Sequence, residues 1–169
     1  MTSITETDSE TDIYKPCTKL FNFSKAPLEW KAMAADCPPG KELPPEYLLD
    51  RKRLDDPSYE RPTHFFYGFG LNIGHVIEYH RARRLSLPPP QILGDRVSIW
   101  RFLIDSVVNH LRDVCEYDGL RVVYARSLEY DLVLAMYNSY KFRYEELTDE
   151  EEVDVIRLLR EEMPGVFGN

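Results

Sequence analysis

Cysteine is scarce in this chain: Cys17, Cys37 and Cys115 are the only three in 169 residues. An odd number at wide spacing builds no disulfide framework, and none of the three belongs to a CxxC metal or redox pair. The thiols read as reduced, which suits a reducing compartment. Long apolar runs are missing as well. None approaches the roughly 20 residues that span a bilayer, so no membrane segment is expected. The first twelve residues, MTSITETDSETD, lack the basic start and apolar core of a secretory signal. They also carry acids, which a mitochondrial presequence avoids. The expected location is cytoplasmic or nuclear.

An excess of basic charge is also absent. The net charge is −8, and it is concentrated at the two ends. Residues 1–12 hold four acids and no base, and residues 145–162 hold nine acids and two arginines. The stretch between is close to neutral. Non-specific nucleic-acid affinity comes mostly from Lys and Arg neutralising phosphates, so a nucleic-acid partner is disfavoured. What is present is apolar material: 43% of the residues, enough for a core in a single domain.

The pattern along the chain divides it. Residues 1–12 read as a disordered acidic tail, with Ser3, Thr5, Thr7 and Ser9 each followed by an acid three residues later. Residues 13–169 read as one globular domain. Its first part, 13–62, holds eight of the twelve prolines and reads as a segment that wraps the core. Short helices fit just after prolines at 27–36 and 44–54, because proline is tolerated in a first helical turn.

Helical spacing begins at Ile73, with Val76, Ile77 and His80 on one face and Asn72 as the cap. The surest helix covers 95–114. Val97, Ile99, Trp100, Leu103, Ile104, Val107, Val108, Leu111 and Val114 form a wide apolar stripe, capped by Asp95 and closed at Asp118-Gly119. LRVVYA (120–125) has strand composition. YDLVLAMYNSY (130–140) fits either a hairpin strand or a helix. YKFRYEEL (140–147) alternates like a half-exposed strand. Thr148 and Glu151 make a capping box for a last helix, with Val153, Ile156, Leu159 and Met163 as its inner stripe. The fold class that follows is α+β, with two long helices and shorter ones on a sheet of two or three strands.

Gly68-x-Gly70-x3-Gly74 resembles a dinucleotide loop at first sight, and Asp95 lies 21 residues beyond. The loop needs a second parallel strand after its helix. Three prolines, 88–90, and another helix stand there instead. The expected role of the glycines is a turn rich in aromatics, where they permit positive φ and close packing.

The histidines 64, 75, 80 and 110 fit no metal motif. His75 and Glu78 share a helix face, but His75 and His80 do not, and H-E-x-x-H is absent. His80 falls on the apolar stripe and reads as a hydrogen-bonded core histidine. Asp105, Asn109 and Asp113 step by four and read as a solvated face. Arg51-Lys52-Arg53 and Arg81, Arg83, Arg84 are short basic clusters near helix C-termini, where cations suit the dipole.

The stretch GLRVVYARSLEYDLVLAMYNSYKFRYEEL (119–147) resembles the late part of the GCN5-related N-acetyltransferase superfamily, with Ala135, Tyr137 and Phe142 at similar spacing. Lys141 stands where that family has glycine. Gln91-Ile-Leu-Gly94-Asp-Arg96 matches half of the family's acetyl-CoA loop, with Arg96 in place of a small residue. The resemblance implies an acyl-CoA-dependent transferase with Tyr137 as general acid and Gly94 in the cofactor loop. The preferred expectation is of another class: a non-catalytic intracellular module whose partner is another protein, with neither cofactor nor metal.

Overall fold

The computed structural model describes residues 13–14, 49–62, 65–125, 130–140 and 147–166. Within them the order is strand β1 (Phe66–Leu71), helix α1 (Ile73–Ala82), helix α2 (Arg96–Cys115), strand β2 (Arg121–Tyr124), strand β3 (Leu132–Asn138) and helix α3 (Asp149–Glu162). Two single 3-10 turns, Arg51–Arg53 and Pro90–Ile92, precede β1 and α2 respectively. The fold is α+β: three helices packed on a three-stranded antiparallel sheet.

The sheet order is β1-β3-β2, so β3 is central. This resolves the ambiguous 130–140 stretch in favour of a strand. Its register is fixed by a bulge: Tyr67 faces Tyr137 and Gly68 faces Ala135, so Met136 is passed over. A bulge places two residues of one strand against one of the other and increases the local twist. Leu132, Leu134, Ala135, Met136 and Tyr137 are all buried, as befits a middle strand.

The glycines behave differently from the expected turn. Gly68 and Gly70 lie inside β1, not in a loop. A Cβ on Gly68 would fall 1.9 Å from the Leu134 carbonyl oxygen, and one on Gly70 would enter the Tyr130 ring. Close approach, not positive φ, is what requires glycine here. The helix starts directly after the strand, so no loop is left for a phosphate between them.

α1 follows the strand because Asn72 is extended and two partners satisfy its neighbourhood. The Asn72 N–H donates to His75 Nδ1 at 3.2 Å, and the Ile73 N–H donates to Asp131 Oδ2 at 3.0 Å. The carboxylate also complements the positive end of the helix dipole. α2 is capped by Asp95, which accepts from the Val97 N–H at 3.2 Å. It ends in a left-handed Glu116 (φ 49°), just before the expected Asp118-Gly119 stop. Its buried side chains run from Ile99 to Cys115, and it packs against α1, α3 and β2.

α3 has the expected Thr148/Glu151 capping box. Three of the four expected inner residues, Ile156, Leu159 and Met163, do face the core, and Val153 is the exception. Val155, Leu159 and Met163 are buried, while Val153 is 64% exposed. The inner face also carries Glu152, which accepts a hydrogen bond from the Tyr137 hydroxyl at 3.2 Å, and Glu162.

The acidic tail 1–12, the short helix at 27–36, most of the strand at 140–147, and Cys17, Cys37, His64 and Phe142 lie outside the described residues.

Candidate functional site

α1 is the hub. Tyr79 and His80 are adjacent on it, and successive helical residues point about 100° apart. They therefore enter different surroundings, and each anchors a polar arrangement.

Tyr79 reaches the place where the three helices meet. Its hydroxyl donates to Glu162 Oε2 at 2.6 Å and lies 3.0 Å from His110 Nδ1. Its one proton goes to the carboxylate, so toward histidine it can only accept. The network thus assigns the proton to Nδ1 of His110. The Arg83 guanidinium closes the chain with a 2.6 Å ion pair to the same Glu162 oxygen. Burial, then the hydrogen bond to Glu162, pushes the Tyr79 phenol far above its ordinary 10. Donors and acceptors in this chain of four are matched to one another.

Cys115 lies on the same side. Burial, with the Glu162 charge as the smaller cause, pushes its thiol up to about 11. Only the thiolate is reactive, so the folded protein protects it. In a chain carrying Cys17→Ser and Cys37→Ser, an aromatic disulfide reagent at neutral pH is expected to label Cys115 only as urea unfolds the protein. Immediate labelling in plain buffer would contradict this burial.

His80 faces the other way. It is fully buried, and Nδ1 sits 3.1 Å from the Tyr14 hydroxyl. Tyr14 and Ile13 are buried at 6% and 7% exposure, against Ile99, Trp100 and Leu103 of α2, with Ile73 and Ile77 of α1 packed beside them. The Arg81 guanidinium lies 4.1 Å from the centroid of the Tyr14 ring. Two residues distant in sequence from α1 and α2 thus fill an apolar cleft between these helices, with His80 and Arg81 among the polar groups they meet.

Burial holds the His80 pKa below its ordinary 6.5, and the Ser86 carbonyl opposes it. Folding disfavours the imidazolium. The stability His80 contributes is complete above about pH 6.5 and is lost as pH falls through the depressed folded value. The urea midpoint is expected to fall between about pH 7.5 and pH 5.5, and His80→Asn is expected to flatten that slope. An unchanged slope in the variant would show that another group titrates.

The other residues singled out in the sequence fall in separate places. His75 is spent on the α1 start, His80 on Tyr14 and His110 on Tyr79. Among the described residues no three His, Cys, Asp or Glu side chains come together as metal ligands. Asp105, Asn109 and Asp113 are exposed along α2, with Asn109 accepting from Arg112 at 3.2 Å. Arg51 donates to the Tyr140 carbonyl, and Arg53 pairs with Asp56 and lies 4.8 Å from the Tyr59 ring centroid.

Tyr137 is 7% exposed; its hydroxyl bonds Glu152 and its ring lies 5.3 Å from that of Tyr67. Gly94 is exposed in the turn before α2, where an added Cβ would meet nothing within 4 Å. All strand pairs among the described residues are antiparallel.

Glu162 and Tyr14 escaped the sequence reading. A signal for Glu162 was there: Glu161 and Glu162 put two acids at a helix C-terminus, against the dipole. Tyr14 had a weaker one, as half of the first apolar pair after an all-polar acidic run. Comparison of the chain with family models, with curated proteins and with solved structures found no match.

Proposed function

We propose that this chain is a non-catalytic protein-interaction module acting inside the cell. The observation that carries the reading is the cleft between α1 and α2, where Ile13 and Tyr14 are seated by apolar packing, by a hydrogen bond to a buried histidine and by an arginine over the tyrosine ring. A cleft that seats an aliphatic side chain and a tyrosine, with polar groups to orient the ring, suits the recognition of a protein surface. The Tyr79–Glu162 network supports the same reading. Its acid, its histidine and its hydroxyl are engaged with each other and with Arg83, which suits helix docking more than chemistry on a substrate. No helix among the described residues is long and apolar enough to cross a membrane.

The test sets this reading against the transferase. A ligand present at 100 times its Kd stabilises a protein by about 2.7 kcal/mol. Thermal unfolding with about 1 mM acetyl-CoA is expected to show no such shift. Affinity capture from extract is expected to enrich a protein partner. Stabilisation by acetyl-CoA, or capture that enriches nothing above background, would overturn the reading.

A further inference from the structure

We propose that Ser86, in the loop that follows α1, is a phosphorylation site for a protein kinase that reads arginines on the N-terminal side of its target hydroxyl. The proposal goes beyond the interaction-module reading and does not depend on it.

The sequence around the serine is Arg83-Arg84-Leu85-Ser86-Leu87. Arginine-directed kinases grip a substrate through acidic subsites that take cations three and two residues before the hydroxyl. An apolar subsite takes the side chain that follows it. No other serine or threonine of the chain has two bases at those two places. A short motif is a hypothesis until its structural context agrees, and here the context agrees.

Ser86 belongs to no helix or strand, and Arg83, Arg84, Ser86 and Leu87 are all exposed. Leu87 is one of the few large apolar side chains left in water, at 49% exposure. The serines of the ordered elements offer much less. Ser98 donates its hydroxyl to Asp95 and Ser106 donates to the Phe102 carbonyl, both within α2. Ser139 is buried, and Ser58 donates to Asp56.

A kinase holds its substrate extended, so the turn after α1 has to open. Three backbone bonds close it, from the N–H groups of Arg83, Arg84 and Leu85 to the carbonyls of Tyr79, Arg81 and His80. Against them stands Arg84, held at φ 50°, a left-handed conformation that a side chain resists. Opening the turn releases that strain, and helix ends open more readily than cores.

In the transfer, Ser86 Oγ bonds to the γ-phosphorus of ATP while the bond from that phosphorus to the β,γ-bridging oxygen breaks. The hydroxyl proton passes to the catalytic carboxylate of the kinase, and ADP leaves. The phosphoserine carries close to two negative charges at pH 7. It therefore cancels most of the positive charge that Arg81, Arg83 and Arg84 place at this corner of the surface.

The experiment treats the folded full-length chain with magnesium ATP and the catalytic subunit of cyclic-AMP-dependent protein kinase, an arginine-directed enzyme. Peptide mass spectrometry locates the phosphate, which is expected mainly on Ser86. Ser86→Ala is expected to lose it. Arg84→Ala, which leaves the Arg83–Glu162 pair in place, is expected to slow the transfer by about tenfold or more, through the lost charge-assisted contact. A peptide of residues 81–91, RARRLSLPPPQ, measures what the fold withholds. The folded chain is expected to react within about tenfold of the peptide's kcat/KM, because only the end of a helix has to open. Phosphate placed mainly elsewhere, a rate indifferent to Arg84, or a folded chain slower than the peptide by a larger factor would each overturn the proposal. Circular dichroism of both variants checks that the fold is retained. Should Arg84→Ala unfold, Arg84→Gln takes its place with the same expected result.

Discussion

Gly68→Ala is expected to destabilise the protein by about 3 kcal/mol or more, enough to remove most of the margin of a small domain. The added methyl would sit 1.9 Å from the Leu134 carbonyl oxygen and 2.7 Å from Ala135 Cα. Both atoms are backbone of the central strand, so neither can rotate away. β1 would have to leave β3 at the bulge, and α1, which starts two residues after Leu71, would move with it. Gly74→Ala is the internal control. It lies in the first turn of α1 with nothing within 4 Å of the new methyl. There the change is expected to stabilise by about 0.5–1 kcal/mol, through helix propensity and a less free unfolded chain. Urea unfolding followed by circular dichroism measures both. Equal effects of the two substitutions would mean that β1 does not approach β3 as described.

Trp100→Ala is expected to cost about 3–5 kcal/mol, the usual range for removing a fully buried large aromatic side chain. Trp100 has no exposed surface and joins Ile13 and Tyr14 to α2. Its loss opens a cavity beneath the dipeptide as well as removing its own contacts. Val153→Ala, on the outer face of α3, is expected to change stability by no more than about 0.5 kcal/mol. A large effect at Val153 would restore the stripe read from the sequence and would require α3 to be rotated.

That pair shows where sequence reading succeeds. The α2 stripe was legible because nine apolar side chains repeat with helical spacing and nothing polar has to enter the face. The α3 start was legible because a capping box is local chemistry between Thr148 and Glu151. The α3 face was legible in Ile156, Leu159 and Met163, but not in the exchange of Val153 for Val155 or in the inward Glu152 and Glu162, whose partners Tyr137 and Tyr79 come from distant elements. The β1 glycines failed for a related reason. A glycine required by a neighbouring backbone looks the same in sequence as one required by a turn. For His80, its place on an apolar stripe was enough to predict a hydrogen-bonded core residue, and Tyr14 supplies the bond. The partner itself lies 66 residues away and no local pattern points to it.

The account depends on Ile13 and Tyr14 closing the cleft over α2, and Trp100 reports on that directly. In a chain carrying Trp30→Phe, Trp100 is the sole tryptophan. Its emission is expected to be blue-shifted and poorly quenched by acrylamide. With Tyr14→Ala added and the far-ultraviolet dichroism unchanged, the account predicts a red shift and a clear rise in quenching. An emission maximum and quenching constant untouched by the substitution would contradict it.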